Sequence, residues 1–220
     1  MHTTECAAGG RRGAVDDLEA YADSFPSMGG RKVGPWLREW AAGCTSNIVE
    51  VGCWLGAGTA QLALGARRSG APIHTYDRWK ATRRETESAV RFAVELTPGQ
   101  DTLPHVRERL EPFGADITYH KGQLLRARWS GEPIGLYVDD AAKRRIAWRH
   151  VLRTFAPYWQ DRCIVVLMDF FHFEKKGRAY RSQYDHVHRH PDQFELLEQR
   201  LGGTSTAAFR YHRPPASSRG

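Results

Sequence analysis

At 220 residues, with 41% hydrophobic and 26% charged residues, the chain is long enough for one large domain with a substantial core and has the make-up of an ordinary globule. No apolar run approaches the ~20 residues that span a bilayer, and the opening "MHTTECAAGGRRGAVDD" lacks a signal peptide's apolar core, so the expectation is no membrane partner and a cytoplasmic location. The net charge of +7 is carried by short groups such as Arg11-Arg12, Arg83-Arg84 and Lys143-Arg144-Arg145, which suit anionic ligands, RNA or plain solubility about equally; with no long basic tract and no RNA- or DNA-binding signature, nucleic acid is the less expected partner.

A polar head precedes a helix expected over 33–42. Strand 47–53 follows, then helix 59–69, a Gly-Ala-Pro turn and strand 72–77. The polar region 80–112 reads as helical, broken at Pro98-Gly99 and Pro104. Strands are expected at 115–120, 134–139 and 162–169, helices at 143–157 and 178–189, and two weaker strands near 193–198 and 206–212. Strands separated by helix-length segments predict an α/β fold with a mostly parallel sheet and helices on both faces. Right-handed crossovers then bring the strands' C-terminal ends to one edge, where ligands bind and where Asp77, Asp139 and Asp169 end their strands. Without repeats or low-complexity linkers, one domain is expected over 1–220: an N-terminal helical lid segment (1–45), a core (46–212) and a short tail (213–220). Cys6, Cys44, Cys53 and Cys163 show no CxxC spacing and read as reduced thiols, Cys53 and Cys163 in apolar strand-like segments.

The stretch "IVEVGCWLGAGT" (48–59) breaks from an apolar run into three glycines. Gly52, Gly56 and Gly58 permit a sharp turn and close approach of backbone to a ligand, and Thr59 can start the next helix. A dinucleotide turn would read G-x-G-x-x-G. Here the spacing is G-x-x-x-G-x-G, with Glu50 two places before the first glycine, awkward beside a pyrophosphate but suited to a cation or an amine.

On these residues the chain resembles the class I S-adenosylmethionine-dependent methyltransferases, whose fold is a Rossmann-like seven-stranded sheet. The resemblance implies that the turn (Glu50, Gly52, Trp54, Gly56, Thr59) cradles the methionine part of S-adenosylmethionine and that Asp77 in "IHTYDRW" grips the ribose. It implies that Gln123 in "HKGQL" flanks the adenine, that "GLYVDD" carries an acid of the catalytic face, Asp139, and that "FPSMGG", with Met28, folds over the cofactor. Within the superfamily the chain is most similar to macrocin-type and sugar-modifying O-methyltransferases. This implies a small-molecule hydroxyl acceptor, such as a glycoside, and a divalent metal (Mg2+) between Asp139 and Asp169. Phe170 and Ala141 stand where those enzymes carry further acids, so the ligand set is short unless Asp140, Glu174 or a histidine contributes, and their usual base is missing. His172 in "DFFHFE" is the substitute base expected here, able to titrate near neutrality. His186, His188 and His190 lack a zinc-site context and read as a polar helix end, and Trp148 and Trp159 read as core while Trp79 reads as pocket lining. An RNA methyltransferase and a nicotinamide-dependent oxidoreductase remain the alternatives, and a homodimer is open.

Overall fold

Strands form where β-branched and aromatic residues run together between turn residues, and the computed structural model places seven of them in one sheet. It describes residues 17–28 and 30–214; Cys6, Arg11-Arg12, Gly29 and the end of the tail lie outside the described residues. The strands are β1 (Asn47–Val51), β2 (Ile73–Asp77), β3 (Ile117–Lys121), β4 (Ile134–Asp139), β5 (Trp159–Leu167), β6 (Phe194–Gln199) and β7 (Ala207–Tyr211). Their order across the sheet is β3-β2-β1-β4-β5-β7-β6, with β7 antiparallel to both neighbours and the rest parallel. This is the expected seven-stranded, mostly parallel Rossmann-like sheet. β5 begins three residues earlier than the reading of 162–169, because Arg162 at φ +68° bends it and its register against β4 shifts there.

The helices are α1 (Leu18–Asp23), α2 (Gly34–Ala42), α3 (Ala57–Ser69), α4 (Arg83–Ala89), α5 (Leu103–Leu110), α6 (Arg145–Thr154), α7 (Phe173–Lys176) and α8 (Ser182–Arg189). Alternation along the strands assigns them to two faces. Ile48, Leu136, Val138, Val166 and Ala208 pack into the core that holds Leu37 of α2, Leu62 of α3 and Val106 of α5. Val49, Val51, Tyr137, Val165, Leu167 and Phe209 pack into the core that holds Trp148 and Val151 of α6 and Val187 of α8. Fully buried Leu37, Leu62 and Ile73 contribute roughly 1.5–3 kcal/mol each. Phe25 and Val33, in the segment read as a lid, are buried beside α2 and α3.

The region 80–112 is helical only in part. α4 starts on a capping box, Thr82 with Glu85 (Thr82 N–H to Glu85 Oε2, 2.7 Å), and α5 starts with Pro104 in its first turn. Between them runs loop, tied down where the Gly99 N–H donates to the Ala81 carbonyl at 2.8 Å.

Candidate active site

The sheet order reverses between β1 and β4, and the turn after β1 opens there. Gly52 has φ +97° and Gly56 φ +89°, a left-handed region that glycine enters without strain. A Cβ on Gly52 would lie 3.0 Å from the Asp140 backbone, so only bare backbone fits where β1 and β4 part. Trp54, between the glycines, sits at φ +49°, a conformation costing about 1–2 kcal/mol for a non-glycine residue. Its N–H donates to Asp77 Oδ2 at 2.9 Å, and the Trp79 N–H donates to Asp77 Oδ1 at 2.8 Å. Asp77 therefore ties the turn to the end of β2 while each carboxylate oxygen keeps accepting capacity.

Glu50 lies beneath the turn. It is 3% exposed, and its Oε2 accepts the hydroxyls of Thr59 (2.5 Å) and Thr75 (2.8 Å). Burial pushes its carboxyl up to about 7, against the pull of those two hydroxyls. An unfolded glutamate releases its proton near 4.5, so between there and about 7 the folded state holds the extra proton and stability falls as pH rises. Glu50→Gln is expected to flatten that slope, with a gain over wild type of about 3 kcal/mol once the pH passes 7. Urea melts at pH 5, 6, 7 and 8 measure it; parallel pH profiles for the two proteins would refute the assignment.

A cavity of about 1010 Å³ lies over this edge, room for a nucleoside cofactor and an acceptor together. Met28, Gly52, Trp54, Asp77 and Gln123 line it, as do His120 and Gly122 of "HKGQL". Four expected cofactor residues do not. Glu50 and Thr59 bind each other under the turn, and Thr59 does not start the helix, because Gly56 is the N-cap and α3 begins at Ala57. Gly56 faces Phe25 and Val106. Asp139 is 1% exposed and caps the turn after β4: its Oδ1 accepts the N–H groups of Ala141 (3.0 Å) and Ala142 (2.7 Å), and its Oδ2 accepts the Tyr137 hydroxyl (3.1 Å). Burial lifts it to about 6. Trp79 is buried against Tyr119 rather than lining this cavity, while Trp148 and Trp159 are core as expected.

Asp140, one residue on, does line the cavity. The Lys143 ammonium lies 3.3 Å from Asp140 Oδ1 and in closer ion-pair contact with Asp169 Oδ2. Asp169 Oδ1 accepts the Ser205 hydroxyl at 3.1 Å and lies 3.4 Å from His172 Nδ1. Burial would lower the lysine's pKa, but the two carboxylates outweigh it and hold it above the ordinary lysine value. Burial lowers the His172 pKa from its ordinary value, helped by nearby Lys143, Lys176 and Arg84 and opposed by Asp169. Neither Asp169 nor His172 lines the cavity; His172 stands behind Asp169, and Asp169 behind Lys143. The metal implied by the resemblance does not fit here. Both Asp139 oxygens are taken by protein donors, and an ammonium stands against Asp169. No group of three or more metal-ligating side chains occurs among the described residues. His186 and His188 lie on α8, half-buried His186 against Trp148 and His188 on Tyr184, with His190 just past the helix.

Lys143 and Arg84, named above only as members of basic groups, line the cavity together with Arg126 and Arg128. Lys143 has a readable signal, lying four residues after the strand-ending Asp139 in "VDDAAK". The arginines sit in polar loops or at a helix start, where any surface arginine looks the same.

The fold is that of a Rossmann-like α/β domain, with the cavity at its switch point. More particularly, the fold is that of solved methyltransferases. The chain is similar to the O-methyltransferase NovP (TM-score 0.63, 11% identity, 90% of this chain and 89% of that one). It is similar to a methyltransferase of Podospora anserina, PaMTH1, bound to S-adenosylhomocysteine (TM-score 0.60, 15% identity, 90% and 88%). It is also similar to CalS11, a TDP-rhamnose 3'-O-methyltransferase of calicheamicin biosynthesis (TM-score 0.58, 16% identity, 81% and 77%). No family model matches the sequence, and no curated protein matches it.

Proposed function

We propose that the chain is an S-adenosylmethionine-dependent O-methyltransferase acting on a hydroxyl of a small molecule, a sugar or natural-product scaffold being the class to try first. The observation that carries this reading is the pairing of a thin glycine turn at Gly52 with Asp77 at the end of the neighbouring strand, both on the wall of one cavity. A carboxylate with spare accepting capacity suits two ribose hydroxyls, and the PaMTH1 structure with S-adenosylhomocysteine supports the cofactor class. The bound cofactor would supply a sulfonium methyl whose C–S electron pair stays on sulfur when the acceptor oxygen attacks in line.

The protein's part is proximity and charge. Asp140, on the cavity wall, takes the proton as the acceptor O–H bond breaks and the new C–O bond forms. Asp139 shapes the loop that carries Asp140. His172, the base expected from sequence, holds Asp169 from behind. Isothermal titration with S-adenosylhomocysteine and, separately, NADH tests the reading: micromolar affinity for the first and none for the second is expected, and the reverse would assign an oxidoreductase. Asp169→Ala is expected to keep its S-adenosylhomocysteine affinity within about threefold while methyl transfer to a panel of glycosides falls at least about 100-fold, a range usual for loss of one charge-stabilising group. Unchanged transfer would mean that the hold of Asp169 on Lys143 does not matter to the reaction.

One observation favours a second reading. Six cations and three acids line the cavity, and Arg84, Arg126 and Arg128 have no carboxylate partner at ion-pair distance among the described residues. An RNA acceptor would use them, and would show binding that weakens steeply with salt.

A further inference from the structure

Two carboxylates that end neighbouring strands and face one point repel each other unless a cation stands between them. Asp140 and Asp169 are such a pair, and the cation present is part of the chain. Lys143 starts from the loop after β4, its N–H held by the Ala141 carbonyl at 2.9 Å, and brings its ammonium to Asp140 Oδ1 at 3.3 Å and to Asp169 Oδ2 more closely. The other Asp169 oxygen accepts the Ser205 hydroxyl, with His172 Nδ1 3.4 Å away, so a metal bound at Oδ2 would have to displace the ammonium. The lysine side chain is about one-third exposed and lines the cavity, so it reaches both the acids and whatever the cavity holds.

We propose that Lys143 is the resident cation of the acceptor site: its ammonium holds Asp140 and Asp169 in place, faces the acceptor oxygen, and occupies the position a divalent metal would need. The proposal rests on the acceptor end of the cavity assigned above, but it concerns a charge arrangement that exists whether or not the methyl donor is the one proposed. An ammonium differs from a metal here in two ways. It cannot hold two acceptor oxygens as a chelate, so vicinal diols gain no advantage over single hydroxyls. It is also covalently tethered, so chelators cannot remove it.

The test uses Mn2+ alone as the probe, by electron paramagnetic resonance and calorimetry. Wild type is expected to show no saturable Mn2+ binding up to millimolar concentration and no change in melting temperature with EDTA. Lys143→Gln, which keeps length but removes the charge, is expected to gain one Mn2+ site at least tenfold tighter than wild type. Lys143→Gln with Asp140→Asn should lose that site again. Titration with S-adenosylhomocysteine on each variant reports folding of the cofactor end independently, so a chain that ignores that compound but gains Mn2+ on losing Lys143 would sink the function and keep this inference. One tight equivalent of Mn2+ on wild type, or no gain in the single variant that still melts cooperatively, would overturn it.

Discussion

Asp77→Ala is expected to weaken S-adenosylhomocysteine binding by at least about 100-fold. The carboxylate has two duties. It accepts the N–H groups of Trp54 and Trp79 at 2.9 and 2.8 Å, holding Trp54 in its left-handed conformation, and it offers its remaining lone pairs to the cavity. Hydrogen bonds to a charged group are worth about 1.5–3 kcal/mol each, so the loss of two ligand bonds exceeds a 100-fold change at about 1.4 kcal/mol per tenfold. Asp77→Asn keeps one accepting oxygen and should fall between, near tenfold. A purely structural role predicts something else: a lower melting temperature in Asp77→Ala with the affinity of the folded protein intact. Calorimetry and a thermal melt on the same samples separate the two, and wild-type affinity in the alanine variant would remove Asp77 from the ribose.

Gly65→Ala should do the opposite, lowering stability while leaving the cofactor affinity of the folded protein within about threefold. Gly65 sits in α3 where that helix crosses α2. A Cβ there would collide with the carbonyl oxygen of Arg38 and come within 2.8 Å of Ala41 Cβ. Neither contact can swing aside, since one is backbone and the other a methyl on a fully buried helix face. In an exposed helix, alanine for glycine gains about 1 kcal/mol. Here overpacking costs about 1–3 kcal/mol or more and reverses the sign. A net loss near 2 kcal/mol corresponds to a melting temperature lower by roughly 4–8 °C for a chain of this size. An unchanged or higher melting temperature would mean that α2 and α3 lie further apart than the structure places them.

The apolar runs determined the sheet. Val49 to Val51, Leu136 to Val138 and Val165 to Leu167 are buried on both faces, as central parallel strands require, and such runs stand out in any sequence. The glycine turn and Asp77 were legible for a related reason, since their backbone demands and their place at a strand's end are local properties. Side-chain direction was not local. Asp139 ends the apolar run and so looks like the acid of the cavity, but it shares a face with Tyr137, two residues earlier, and turns into the core, leaving Asp140 on the cavity wall. With a side-chain period of two, one residue of register decides which aspartate meets solvent, and neighbouring strands set that register. The pairing of Lys143 with Asp169, 26 positions further along the chain, likewise exists only because β4 and β5 lie side by side. Sequence by itself determined which segments are strands and which strand ends carry acids. Tertiary structure decided which of those acids reach the cavity and which cation stands between them, because strand register and neighbour order, rather than residue type, set where a side chain ends up.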